Sequence, residues 1–233
     1  WHSFAHHSRF SSSNPDTAME RINERFRNAA DNLRRARHLI VTFGTAFVFS
    51  LEENGEIVAN CHKLPAARFR RTRLSVYEIV ETWTALLHRL LKVTPDLYVT
   101  FTFSPIRHLA DGAHGNQLSK STLLLAVDRL MEAIPQCRYF PSYEIQLDEL
   151  RDYRFYAADM THPSEVAVDY IYTRFSEACF SDSARQAAAD CEKLYRQLHH
   201  RPLTDNAEAI ARFQASTEKL RRQLLDRYPY LNI

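Results

Sequence analysis

Several features that define particular protein classes are scarce in this sequence. Its 233 residues include only four glycines, and the 30 lysines and arginines nearly balance the 28 aspartates and glutamates. No apolar stretch continues much beyond about ten residues, which is too short for a membrane-spanning helix. A formal charge of +2 does not indicate a surface that binds nucleic acid or a membrane. We therefore expect neither nucleic acid nor a membrane among the partners.

The four cysteines indicate a reduced protein. Cys61, Cys137, Cys179 and Cys191 match neither a Cys-x-x-Cys metal pattern nor the dense spacing of a small disulfide scaffold. Isolated cysteines of this kind are typical of a cytoplasmic protein. We expect a cytoplasmic location, no metal and no cofactor.

What the sequence does contain is an alternation of helices and short buried strands. A hydrophobic content of 45% over 233 residues is enough to bury one full core. Apolar and aromatic runs at 38–43, 97–103 and 138–140 predict buried strands, and helix patterns begin near residues 14, 75 and 119. This order predicts an α/β fold with a parallel sheet.

An Asn-Gly hairpin interrupts this alternation. Residues 47–51 and 56–59 flank Glu52-Glu53-Asn54-Gly55, and Asn-Gly is a strong signal for a hairpin. We expect the hairpin to bring Asn60-Cys61-His62-Lys63 back towards the end of the first strand. Just beyond it, Ser75-Val76-Tyr77-Glu78 is a capping box that predicts the start of a helix.

The chain beyond Phe180 has a purely helical pattern. Two amphipathic helices are expected there, separated by Arg201-Pro202-Leu203. We therefore expect an α/β domain at residues 1–180 and a helical extension at residues 181–233. Because this helical hairpin follows the candidate site, it is expected to pack on the domain or to join copies of the chain in a homo-oligomer.

Polar residues gather in the segments that follow the predicted strands. In a parallel sheet these segments meet at one edge, where α/β proteins bind ligands. Arginine and histidine side chains at such an edge are suited to an anionic or sugar substrate. The candidates for binding a substrate or stabilising an oxyanion are Gly44, Thr45, Asn60, His62, Ser104, Arg107, His108 and His114.

An aspartate and a histidine three residues apart form the strongest candidate for chemistry. In Asp159-Met160-Thr161-His162-Pro163, the carboxylate can orient the imidazole and stabilise its protonated form, as a hydrolase requires. With His162 as the N-cap, Pro163 would occupy the first helical position and Glu165 the third. The alternative is a surface turn with a capping aspartate and a histidine that has no role.

Seven strings in this sequence resemble those of the GSCFA-domain family and occur in the same order. They are Asn60-Cys61-His62-Lys63, Phe103-Ser104-Pro105-Ile106-Arg107-His108, Asp111-Gly112-Ala113-His114, Asn116-Gln117-Leu118-Ser119-Lys120, Tyr139-Phe140-Pro141-Ser142-Tyr143-Glu144, Asp148-Glu149-Leu150-Arg151-Asp152-Tyr153-Arg154-Phe155-Tyr156 and Asp159-Met160-Thr161-His162-Pro163. The likeness extends from about residue 7 to residue 180, and the helical tail also resembles that family's carboxyl end. The family is itself similar to the SGNH, or GDSL-type, hydrolases.

The resemblance implies a three-layer α/β/α, flavodoxin-like fold and a serine hydrolase acting on acyl or acetyl esters of a small molecule or carbohydrate. It implies that His162 is the general base and acid and that Asp159 is its orienting partner. The nucleophile would lie in the Gly-Ser-Cys-Phe-Ala string that names the family, and this sequence has no such string. We therefore expect the chain, which begins at Trp1, to lack the first strand or strands and the nucleophile.

The oxyanion motif of the SGNH pattern is also incomplete here. That pattern has Gly-x-Asn-Asp after its third strand, whereas this sequence has Gly44-Thr45-Ala46-Phe47. The glycine is kept and the asparagine, which would donate to the oxyanion, is absent. Asn60 is a candidate substitute across the hairpin.

Two residues present in the sequence are weaker candidates for the nucleophile. Cys61 is next to His62, but adjacent residues of an extended chain point to opposite faces. Ser104 follows a strand, but Pro105 restricts its backbone and no Gly-x-Ser-x-Gly turn surrounds it. Because the expected serine is absent, a second hypothesis stays open: a non-catalytic module that binds carbohydrate or an anion on a hydrolase fold.

Overall fold

The computed structural model describes residues 1–201 and 206–233, so Pro202 and Leu203, expected between the last two helices, lie outside the described residues. The chain divides into two units, residues 1–168 and residues 169–233. In order, the elements are α1 (Pro15–Arg35), β1 (His38–Phe43), β2 (Phe47–Leu51), β3 (Ile57–Val58), β4 (Phe69–Arg73), α2 (Val76–Val93), β5 (Tyr98–Phe103), α3 (Gly112–Ala133), β6 (Cys137–Phe140), α4 (Ser142–Glu144), α5 (Glu165–Cys179), α6 (Asp182–Leu198) and α7 (Ala207–Arg227). The division between the units lies within α5.

The predicted α/β fold with a parallel sheet is confirmed. The strands lie in the order β1-β5-β6, and both neighbouring pairs are parallel. Val99, Phe101 and Phe103 of the central strand β5 have no exposed surface. They belong to one apolar core with Leu87 of α2 and Val127 of α3. Burying each such side chain contributes about 1.5–3 kcal/mol, which holds these two helices on one face of the sheet.

A second sheet contains the predicted hairpin and a strand that the sequence pattern did not predict. β2 pairs antiparallel with both β3 and β4, and Gly55 in the hairpin turn has a φ of +73°, a value that favours glycine. β4 is rich in arginine and has no apolar alternation. Arg71 of β4 lies 4.1 Å from the ring centre of Phe47 and forms an ion pair with the buried carboxylate of Asp111. These tertiary contacts stabilise a strand that intrinsic propensity does not favour.

The sequence predicted the start of α2 correctly and the start of α3 incorrectly. The capping box at α2 is confirmed, since Ser75 Oγ accepts from the Glu78 N–H and Glu78 Oε2 accepts from the Ser75 N–H. α3 begins at Gly112, so the prediction of a start near Ser119 was wrong. The polar early turns are helical because their side chains have internal partners. Asn116 Oδ1, for example, accepts from the His108 N–H, and Gln117 Oε1 accepts from the Tyr143 hydroxyl.

The carboxyl-terminal unit contains the end of α5 with α6 and α7. α6 and α7 contact each other, and Leu194 and Leu224 are buried in this unit. The Asp190 carboxylate of α6 accepts hydrogen bonds from Arg227 and Tyr228 at the end of α7, both at 3.1 Å. The helices expected beyond residue 180 are therefore present. Within the described ranges, no helix combines the length and the apolar character that a membrane crossing requires.

Candidate active site

One side chain joins the carboxyl ends of β1 and β5. Lys120 Nζ donates to the carbonyl oxygens of Gly44 and Ser104, each at 2.6 Å. These two residues directly follow their strands, so the strands end side by side at one edge of the sheet. The hydrogen bonds between β1 and β5 continue one residue further, because the Ser104 N–H donates to Phe43 O at 2.8 Å. The sequence predicted a ligand site at this edge. In the structure the buried ammonium group of Lys120 holds the two strand ends together there.

Lys120 is the residue that sequence patterns did not single out. It has no exposed surface, and its Nζ lies 5.3 Å from the ring centre of Tyr143. Burial lowers its pKa to about 8 because the ammonium loses its hydration. The two carbonyl bonds favour the charged form, so Lys120 carries its charge at neutral pH. The available signal was its place on the apolar stripe of α3 with Leu123 and Val127.

His108 is part of the same edge. Its Nε2 lies 3.1 Å from Gly44 O, and its backbone N–H donates to Asn116 Oδ1 at 3.0 Å. Because a carbonyl oxygen only accepts, Nε2 carries the ring hydrogen. Burial, followed by the charge of Lys120, lowers the pKa of His108. His108 is therefore a neutral donor that supports the strand end.

Thr45, predicted near the oxyanion position, supports the turn between β1 and β2. Ser119 Oγ accepts from the Ala46 N–H at 2.7 Å and lies 2.9 Å from Thr45 Oγ1. Thr45 Oγ1 in turn accepts from the Phe47 N–H at 3.1 Å. The threonine hydroxyl is thus engaged with protein atoms.

Asp159 and His162 form a preorganised pair. Asp159 Oδ2 lies 2.6 Å from His162 Nδ1, while Asp159 Oδ1 accepts from the backbone N–H groups of Thr161 at 2.9 Å and His162 at 3.0 Å. Met160, between them, has a φ of +58°, in the left-handed region. With the Nδ1 hydrogen donated to the carboxylate, Nε2 presents a lone pair, which is the arrangement of a general base.

The pair lies on a small hairpin rather than at the mouth of a helix. The Ala157 N–H donates to His162 O, and the Ser164 N–H donates to Phe155 O, both at 2.8 Å. The prediction that His162 is an N-cap was therefore wrong. Pro163 forms an antiparallel bridge with Tyr156 in this hairpin, α5 begins at Glu165, and Ser164 Oγ accepts from the Ala167 N–H at 3.4 Å.

Arg107 connects this hairpin to the edge of the sheet. Its backbone N–H donates to Thr161 O at 3.2 Å, and its guanidinium lies 4.0 Å from the ring centre of Tyr156. Arg107 belongs to the segment between β5 and α3 that also contains Ser104 and His108. The structure therefore brings the aspartate–histidine pair next to the residues that follow β5.

The predicted residues that follow the β2–β3 hairpin contact the amino-terminal loop. His62 Nε2 lies 2.8 Å from Ser3 O, and the His62 N–H donates to Asn60 Oδ1 at 2.8 Å. The Asn60 N–H donates to Phe4 O at 3.1 Å. His114 is exposed in the first turn of α3. Within the described part of the chain, no group of three or more histidine, cysteine, aspartate or glutamate side chains is arranged to hold a metal ion.

The protein is therefore a mixed α/β protein with a parallel sheet. Its aspartate–histidine pair lies beside the edge of the sheet where the carboxyl ends of the strands meet. A model of the GSCFA family matches residues 1–175, so the chain belongs to the GSCFA family. No curated protein and no solved structure matches the chain.

The Asp159 carboxyl group is expected to titrate far below the ordinary range. The backbone N–H groups of His162 and Thr161, and then the His162 ring, lower the pKa of Asp159 from 3.8 to about 2. A carbon-13 NMR titration of this carboxyl group should give a midpoint near that value. In His162→Ala both backbone bonds remain, so the midpoint should rise but stay below 3.8. A wild-type midpoint at or above 3.8 would show that the turn does not form in solution.

Proposed function

We propose that this chain is most of an SGNH-type serine esterase that acts on acyl or acetyl esters of carbohydrate type. In this proposal His162 is the general base and acid, and Asp159 orients it. The nucleophilic serine is supplied by residues encoded before Trp1, which also complete a three-layer fold. The substrate class rests on the similarity to SGNH hydrolases alone.

The observation that carries the proposal is the geometry of the Asp159–His162 pair. The distance of 2.6 Å between Oδ2 and Nδ1 is that of a strong, charge-assisted hydrogen bond, and the two backbone bonds fix the carboxylate before any substrate arrives. About half of the His162 side chain is exposed, so Nε2 is accessible to a substrate.

In the reaction, His162 Nε2 takes the proton of the serine hydroxyl as its oxygen bonds to the ester carbonyl carbon. The tetrahedral intermediate then collapses, the bond to the alcohol oxygen breaks, and Nε2 returns the proton to that oxygen. Water repeats the sequence on the acyl-enzyme and releases the acid. Asp159 remains ionised throughout, because its pKa of about 2 lies far below neutral pH.

The free edge of β1 accommodates the proposed upstream strand. Among the described residues β1 pairs only with β5, so the backbone groups along its other side have no strand partner there. A parallel strand added here would end beside Gly44, at the edge that already contains Ser104 and the Arg107 segment. A serine directly after that strand would therefore face the same edge as the aspartate–histidine pair.

A second candidate function is a binding module without chemistry. It is favoured by one observation: the Thr45 hydroxyl, expected near the oxyanion position, is already engaged with Ser119 and the Phe47 N–H, and the backbone of Asn60 is bound to Phe4 in the amino-terminal loop. Such a module would use the same edge to bind a carbohydrate or an anion.

The test uses a longer protein that includes the residues encoded before Trp1. An esterase should react with a fluorophosphonate probe and hydrolyse p-nitrophenyl acetate. A binding module should do neither, yet bind carbohydrate in a glycan-array or calorimetric assay. Absence of both labelling and hydrolysis in a folded protein would overturn the esterase proposal.

A further inference from the structure

The guanidinium group of Arg107 stacks on tyrosine rings beside the candidate site. Its Cζ lies 4.0 Å from the ring centre of Tyr156 and 5.5 Å from that of Tyr153. Tyr156 is 9% exposed, so the closer ring is itself fixed by packing. Stacking occupies the face of the guanidinium and leaves its in-plane N–H groups to bind another molecule.

No carboxylate of the described residues pairs with Arg107. The acidic side chains of the neighbouring segments have other partners. Asp111 is paired with Arg71, Asp159 with His162, and both oxygens of Glu144 accept from the Tyr139 hydroxyl at 2.7–2.8 Å. The positive charge of Arg107 is therefore not neutralised by a carboxylate in the part of the chain that the structure describes.

The backbone of Arg107 is also bonded to the turn that contains the candidate base. Its backbone N–H bonds to Thr161 O at 3.2 Å, and Thr161 immediately precedes His162. An anion bound by this guanidinium would thus lie next to the turn that carries the general base. Arginine is the side chain best suited to planar, bidentate recognition of carboxylate or phosphate.

We propose that Arg107 binds an anionic group of the substrate, so that the substrate is an ester that also carries a carboxylate or a phosphate. This inference rests on the proposed function for its reaction, but the anion binding itself can be measured without turnover. The expected contribution is about 10- to 100-fold in affinity, as for hydrogen bonds to a charged partner.

Binding is measured on the chain of 233 residues by NMR or calorimetric titration with monomethyl succinate and, separately, methyl phosphate. The tighter ligand of the two identifies the anionic group. Arg107→Gln should weaken that binding by about 10- to 100-fold, and Arg107→Lys by less, since it keeps the charge without the planar fork. Added salt should weaken wild-type binding because the site is partly open to solvent.

Arg138→Gln is the matched control. Arg138 also lies over a tyrosine, with its Cζ 5.3 Å from the ring centre of Tyr98, but it lies on β6, away from the turn of His162. This variant removes the same charge and the same kind of stacking, and it should bind both anions as the wild type does. Melting temperatures of all variants establish that each is folded.

The catalytic arm uses the longer protein with p-nitrophenyl butyrate and mono-p-nitrophenyl succinate, which differ by one carboxylate. Each anion should inhibit butyrate hydrolysis competitively, and Arg107→Gln should raise its inhibition constant by about 10- to 100-fold. Absence of anion binding, or equal binding by wild type and Arg107→Gln, would overturn this inference. Anion binding without any ester hydrolysis would instead overturn the proposed esterase and leave the anion site standing.

Discussion

Replacing His162 with alanine is expected to lower kcat/KM for p-nitrophenyl acetate by about 10³- to 10⁴-fold in the longer protein. The imidazole is the group that accepts the nucleophile's proton, and its Nε2 is free because Nδ1 is bound to Asp159 at 2.6 Å. Alanine removes the base but leaves the backbone hydrogen bonds of the turn available. Fold and substrate binding should therefore survive, and the loss should appear in kcat.

Asp159→Asn should produce a loss of similar size by a different route. The asparagine carbonyl oxygen can still accept the backbone N–H groups of Thr161 and His162. Its amide nitrogen, however, would donate to His162 Nδ1 and move the ring hydrogen to Nε2, which then cannot act as a base. The double variant should lose little more than either single variant, since the two residues act as one unit.

His88→Ala is the control for these two variants. His88 is exposed on α2, outside the candidate site, and its removal should leave kcat/KM within about twofold. Full activity in a folded His162→Ala protein would contradict the assignment of the base. Equal losses in His88→Ala would show that the effect is not specific to the site.

The sequence predicted the sheet better than the elements that surround it. The run at β5 is apolar because this central strand is buried between β1 and β6, and burial is what a hydrophobic pattern reports. β1 and β6 are edge strands of the same sheet, and their shorter apolar runs were still sufficient to predict them. β4 escaped prediction because its stability comes from Arg71, which contacts Phe47 and Asp111 far away in sequence. The early start of α3 was missed for a similar reason, because Asn116 and Gln117 in its polar first turns bind the His108 N–H and the Tyr143 hydroxyl, contacts that helical periodicity does not reveal.

In the candidate site, too, local sequence patterns predicted the local contacts but not those between distant residues. The spacing of Asp159 and His162 was sufficient to predict their hydrogen bond, because a turn of three residues brings the two side chains together locally. The N-cap prediction failed because the hairpin bond between the Ala157 N–H and His162 O takes precedence over the helix signal of Pro163. The stacking of Arg107 on Tyr156 joins residues 107 and 156, and no local pattern predicts such a pair.

Lys120→Ala is expected to destabilise the fold by about 3 kcal/mol or more, measured by chemical denaturation at pH 7. The substitution empties a fully buried position and leaves Ser104 O without the donor it has at 2.6 Å. Gly44 O keeps His108 Nε2 as a partner, so most of the penalty arises at Ser104 and in the cavity. Lys92→Ala, at an exposed position of α2, is the control and should change stability by about 0.5 kcal/mol or less.

Lys120→Met separates charge from volume, because methionine fills most of the same space without an ammonium group. The folded pKa of Lys120 is about 8 and its ordinary value is 10.5, so between these pH values the unfolded wild type binds more protons than the folded one. Wild-type stability relative to Lys120→Met should therefore rise as pH increases across this window, by at most about 3 kcal/mol. The two carbonyl bonds favour the ammonium and limit the gain, and taking the difference between the proteins cancels most contributions from other titrating groups. A difference that stays constant from pH 7 to pH 10.5 would show that Lys120 is not charged and desolvated at the edge of the sheet.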